Sequence, residues 1–151
     1  MNLLDEIVRQ CLEQHKGGEK FFDHLDKTIQ EIPVVYDLFD SIKHDRKNII
    51  VSGKFGVFFK NLFSSHPNII VVSGGLRKNI KIKDLTYLEY KIKTEDYIFI
   101  DDSFYSGKTR NAIKNEIERL GGKLINTYVI YDGSIERDIS VSSLYRYYDN
   151  Y

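Results

Sequence analysis

Tyr97-Ile98-Phe99-Ile100-Asp101-Asp102-Ser103-Phe104-Tyr105-Ser106-Gly107-Lys108-Thr109 carries the pattern from which the architecture of this chain is read. Four apolar residues run into a double carboxylate, and a small polar loop with one glycine opens into a helical pattern. That order predicts a buried strand, a turn at its carboxyl end and a helix N-terminus. Backbone N–H groups and the helix dipole there attract a phosphate. Carboxylates beside them accept hydrogen bonds from sugar hydroxyls or help to hold a divalent cation.

On either side of this stretch the same alternation recurs. Asn48 to Val51 and Asn68 to Val72 are short apolar runs, the first followed by Ser52-Gly53-Lys54-Phe55-Gly56 and a helical pattern over Val57 to Phe63. After Thr109, Ile113, Ile117 and Leu120 mark one helix face that ends at Gly121-Gly122. Leu124 to Tyr131 and Val141 to Tyr147 read as a fourth and a fifth strand. Apolar strands alternating with helices predict an α/β fold with a mainly parallel sheet and helices on both faces. Ahead of it, residues 1–46 carry apolar residues at helical spacing: Leu3, Leu4, Ile7, Val8, Cys11 and Leu12, then Phe21, Phe22, Leu25, Ile29 and Ile32. A third set follows Pro33, with Val34, Val35, Leu38, Phe39 and Ile42. The whole chain, 1–151, reads as a single domain: a helical N-terminal segment and an α/β core over 47–151. Leu76 to Asp96 fits no βα unit; it is basic at Arg77, Lys78, Lys81 and Lys83, and Leu85 to Tyr90 suits a ribbon.

Composition narrows the class. Lys plus Arg and Asp plus Glu number 22 each, so net charge gives no reason to expect a nucleic acid or a membrane as partner. Cys11 is the single cysteine and has no internal disulfide partner. The acidic start, Met1 to Glu6, does not read as a secretory signal, and no apolar run reaches membrane-spanning length. The expected setting is cytoplasmic. His15, His24, His44 and His66 share no metal-ligand spacing, and no metal-ligating residue set is expected. The serines have no nucleophile-elbow context. Tyr145, Tyr147, Tyr148 and Tyr151 read as packing aromatics.

Ser106-Gly107-Lys108-Thr109 invites a nucleotide P-loop reading, but that motif needs a glycine where Asp102 stands. The tetrapeptide still suits one phosphate, with Gly107 for close backbone approach and two hydroxyls as donors.

The segment resembles the phosphoribosyl-diphosphate signature of type I phosphoribosyltransferases, and the order of elements agrees from about Asn48 onward. The resemblance implies a glycosyltransferase of nucleotide metabolism. It would carry phosphoribose from phosphoribosyl diphosphate to a base or related acceptor and release pyrophosphate. It further implies that Asp101 and Asp102 contact the ribose hydroxyls and that Tyr105, Ser106, Gly107, Lys108 and Thr109 wrap the 5′-phosphate. Ser52, Gly53, Lys54, Phe55 and Gly56 stand where the family has its pyrophosphate loop, with Lys54 catalytic alongside Asp101 and Asp102. The Leu76–Asp96 excursion falls where the family carries a flap. Magnesium would arrive mainly on the diphosphate, and a homodimer is the assembly implied. The chain departs from the hypoxanthine-guanine pattern at Tyr105, where those enzymes have an acid. The N-terminal helices match no acceptor-reading hood. A sensor or partner-binding module that keeps the pocket without turnover is the alternative reading.

Overall fold

The computed structural model of the chain describes residues 3–15, 21, 24–25, 27–28, 34–42, 48–72 and 86–150. Helix α1 spans Leu3–His15 and α2 spans Val34–Ile42; Phe21, His24, Leu25, Lys27 and Thr28, between them, are also helical. Then come β1 (Asn48–Ser52), α3 (Gly53–Leu62), β2 (Ile69–Val72), a 3-10 turn (Thr86–Tyr90) and β3 (Asp96–Phe104). Helix α4 (Lys108–Arg119), β4 (Lys123–Asp132), β5 (Val141–Arg146) and a last 3-10 turn (Tyr147–Asp149) complete the order.

The five strands form one sheet in the order β2-β1-β3-β4-β5, and every pairing is parallel. A parallel sheet needs both faces covered, and successive residues of a strand face opposite ways. The two apolar clusters follow that alternation. Ile49, Val51, Ile98 and Ile100 pack with Val8, Cys11, Phe21, Leu25, Leu38, Phe55 and Phe59. Ile50, Tyr97 and Phe99 pack with Ile113 and Ile117 of α4 and with Leu88 and Ile92. The N-terminal helices therefore share a core with one sheet face.

Several boundaries differ from the sequence expectation. Helix α3 starts at Gly53 rather than Val57, because Ser52 leaves β1 in an extended conformation and the chain turns at once into the helix. Strand β3 does not stop at Ile100. Its ladder with β4 continues through Asp101 opposite Val129 and Phe104 opposite Asp132, so the two acids lie within the strand. The ribbon expected over Leu85–Tyr90 is replaced, from Thr86, by a 3-10 turn with Leu88 fully buried. Residues 76–85 of the excursion, with all four of its basic residues named above, lie outside the described residues, as do Phe22, Ile29, Ile32 and Pro33.

Leu25 has 0% of its surface exposed. Leu25→Ala should cost about 2–5 kcal/mol, the range for a buried leucine. Urea unfolding checks this, and an unchanged midpoint would separate the N-terminal segment from the sheet's core.

Candidate functional site

The strand order reverses direction between β1 and β3, since β2 lies on the far side of β1 while β4 and β5 follow beyond β3. In open α/β sheets the crevice outside the carboxyl ends at such a point is where ligands bind. Val51 pairs with Ile100, so Ser52 and Gly53 leave the sheet beside Asp101 and Asp102. Topology thus brings the two segments singled out in the sequence to one crevice.

Their residues differ in what they can present. Lys54 is exposed in the first turn of α3, whereas Phe55 and Gly56 are buried and serve the packing of α3 on β1. What this segment can offer a ligand is Lys54 and the backbone around Ser52 and Gly53. Asp101 and Asp102 are 4% and 0% exposed. As consecutive strand residues they leave the sheet on opposite faces, which separates two charges that adjacency in sequence would set against each other. The Asp102 N–H donates to Asp101 Oδ1 at 2.9 Å, and the Ser103 hydroxyl donates to Asp102 Oδ1 at 3.4 Å.

The turn into α4 has the form a phosphate site needs. Gly107 is the N-cap, with φ 80° and ψ 7°, and supplies no side-chain cap. Ser106 and Lys108 are exposed and Thr109 is half-buried. The first-turn N–H groups of α4 therefore lie at an end that an anion can satisfy. A Cβ at residue 107 would also meet the Phe104 ring at 3.1 Å.

Tyr105 is a packing residue. Its ring centroid lies 6.0 Å from that of Tyr131, and it packs against the first core cluster. A Cβ at Gly133 would sit 2.7 Å from the Tyr105 ring, so glycine there is what admits the aromatic. Tyr131 in turn stacks on the buried Tyr145, as expected of packing aromatics.

Sequence reasoning missed the loop that faces the Phe104–Ser106 segment. The loop joining β4 to β5, residues 133–140, is held by two nearly buried arginines. Arg146 donates from Nη2 to the Ser134 and Ile135 carbonyls at 2.8 and 3.2 Å, and its Nε lies 3.5 Å from Asp132 Oδ2. Arg110 donates to Ser140 Oγ at 2.8 Å and to Asp138 Oδ2, and its guanidinium lies 5.3 Å from the Phe104 ring centroid. Burial alone would push the Asp138 carboxyl up. Hydrogen bonds from the Ser140 hydroxyl, the Arg110 guanidinium and the Ser140 N–H outweigh it and hold the carboxyl at about 2. The one sequence signal for this loop was the turn chemistry of Asp132-Gly133-Ser134, in which the Asp132 carboxylate accepts from the Ser134 N–H and hydroxyl.

Solved structures resemble this architecture at low identity. A purine phosphoribosyltransferase from Pyrococcus horikoshii superposes with a TM-score of 0.51 at 13% identity, over 78% of this chain and 83% of that one. Orotate phosphoribosyltransferase from Aeropyrum pernix gives 0.53 at 10% identity, over 91% and 78%. The chain has the phosphoribosyltransferase fold. A hypothetical protein from Neisseria gonorrhoeae with bound ppGpp is similar too, with a TM-score of 0.52 at 12% identity over 79% and 78%. At these identities the likeness is one of fold. No protein-family model and no curated protein matches the sequence. Among the described residues, no helix is long and apolar enough to cross a membrane.

Two outcomes test this geometry. Gly107→Ala forces a Cβ into left-handed backbone and should lower stability by about 1–2 kcal/mol in thermal melts. The Asp138 carboxyl, ordinarily at 3.8, stabilises the fold when ionised; that contribution is complete above 3.8 and is lost as pH falls towards about 2. The stability advantage of wild type over Asp138→Asn should therefore hold at about pH 6 and vanish near pH 2.

Proposed function

We propose that the chain binds phosphoribosyl diphosphate in the crevice between β1 and β3 and transfers its phosphoribosyl group to a nitrogenous acceptor. The observation that carries this reading is the pairing, at the switch point of a phosphoribosyltransferase fold, of two carboxylates in the carboxyl-terminal half of β3 with a glycine-capped helix N-terminus. In this reading the N–H groups and hydroxyls from Ser106 to Thr109 hold the 5′-phosphate. Asp101 and Asp102 accept hydrogen bonds from the ribose hydroxyls. Lys54 faces the pyrophosphate as the anomeric C–O bond breaks and a bond to the acceptor nitrogen forms. Catalysis of this kind rests on fixed charges and positioning rather than on a protein nucleophile.

Magnesium suits the carboxylate oxygens of the crevice, since it prefers hard oxygen ligands and keeps much of its shell from substrate and water. Among the described residues no group of three or more His, Cys, Asp or Glu can hold a metal ion. Diphosphate oxygens and water would thus supply most of its shell, and the ion would supply charge neutralisation on the leaving group.

A second reading is in keeping with the burial of Asp101 and Asp102, which are 4% and 0% exposed. It is a module that binds a phosphorylated nucleotide without turnover, as a sensor. The similar protein that holds ppGpp is in keeping with it.

Calorimetry with phosphoribosyl diphosphate and magnesium, followed by pyrophosphate release across a panel of bases, distinguishes these readings. Saturable binding with base-dependent release is expected; binding without release favours the sensor. Asp101→Asn with Asp102→Asn should weaken binding by about tenfold or more, each lost charged acceptor contributing on the order of a kcal/mol. Undiminished binding by the folded double variant would remove the ribose assignment.

A further inference from the structure

Arg110 sits in the first turn of α4, two residues past Lys108, yet it turns away from the role of an anion ligand. The residue is 8% exposed, and three of its guanidinium nitrogens are engaged inside the protein. Nε donates to Asn111 Oδ1 at 2.8 Å, Nη1 to Ser140 Oγ at 2.8 Å and Nη2 to Asp138 Oδ2. Asp138 is fixed in turn, because its Oδ1 accepts from the Ser140 N–H at 2.9 Å and the Ser140 hydroxyl at 2.6 Å. The Phe104 ring lies under the guanidinium. A planar fork with this many fixed partners is a brace between two elements.

The elements it braces are the walls of a cavity of about 500 Å³. One wall is Phe104 to Ser106, which leads into the phosphate turn; the other is the loop from Ser134 to Ile139. That loop lacks regular structure, and the β4–β5 connection has no helix to position it. The cavity's charged lining residues, Arg110 and Arg137 against Glu136 and Asp138, balance. Two isoleucines of the loop add apolar surface, and Ser106 and Asn111 add hydrogen-bonding groups. Such a surface suits an uncharged, planar, polar ring better than a second anion.

We infer that Arg110 is a positioning residue: through Asp138 and Ser140 it fixes the β4–β5 loop against the sugar-phosphate end of α4. It thereby sets the cavity that receives the ring attached to the ribose. The inference rests on the phosphoribosyl reading and goes beyond it by assigning the ring side of the site to this brace. Arg110 lines the cavity, but its three guanidinium nitrogens are committed to Asn111, Ser140 and Asp138, so it acts on the ring through the loop.

Two probes separate the halves of the site in calorimetry with the full chain. Ribose 5-phosphate fills the donor half alone, and AMP, GMP, CMP and UMP each add a ring to it. In wild type at least one nucleotide should bind about tenfold tighter than ribose 5-phosphate, a gain the cavity supplies. Arg110→Met and Asp138→Asn should each abolish that gain while leaving ribose 5-phosphate affinity within about twofold, and the double variant should lose no more than either single one. Arg110→Lys, which keeps the charge but not the fork, should restore only part of it. Thermal melts run in parallel identify a purely structural role: lowered melting temperature with the gain intact overturns the inference. So does an equal loss for both kinds of probe, or a wild type that shows no gain. Failure of wild type to bind ribose 5-phosphate at all instead overturns the phosphoribosyl reading, and this inference with it.

Discussion

Burial of β3 on both faces governs how every other element is arranged. Each residue from Tyr97 to Phe104 is buried. Its backbone groups find partners only because β1 and β4 flank it in parallel ladders. Its side chains leave alternately to two faces, so neither face can be left to water. One face is closed by the N-terminal helices with α3, the other by α4 and the segment around Leu88 and Ile92. The N-terminal helices are thus part of what allows a strand this apolar to sit at the centre of a sheet.

The same constraint carries polar groups where they would not otherwise go. Because the β3–β4 ladder runs on past Ile100, Asp101, Asp102 and Ser103 are drawn into the sheet and out of solvent. Local hydrogen bonds from the Asp102 N–H and the Ser103 hydroxyl offset part of the cost of that burial. The pleat keeps the two carboxylates on opposite faces, where a turn would have placed them side by side. The chain then leaves the sheet sharply: Gly107 takes a left-handed conformation, and α4 begins with its first-turn N–H groups at the rim of the crevice.

Between β4 and β5, order comes from charge rather than from regular structure. Two arginines with nearly buried side chains, Arg146 beside the buried Asp132 and Arg110 paired with the part-exposed Asp138, hold the β4–β5 loop between a strand and a helix. Tyr105 adds an apolar link, its ring against Gly133 and Tyr131.

The parts of this protein that were legible in its sequence are those whose signals are local. The apolar runs at Asn48, Asn68, Tyr97, Leu124 and Val141 announced five strands, and the acid pair followed by Ser-Gly-Lys-Thr announced the turn into α4. Strand-length runs and glycine turns can be read this way because propensity and period act over a few neighbouring residues. Pairing at a distance settled the rest. The ladder with β4 extended β3 through the acids, and packing against the second core turned the expected ribbon at Thr86 into a 3-10 turn. Tyr105 was claimed by the core, and Arg110 found Asp138 and Ser140, 28 and 30 residues further along the chain. An arginine next to a threonine carries no local sign of that partner, because the choice is made by which strands lie side by side.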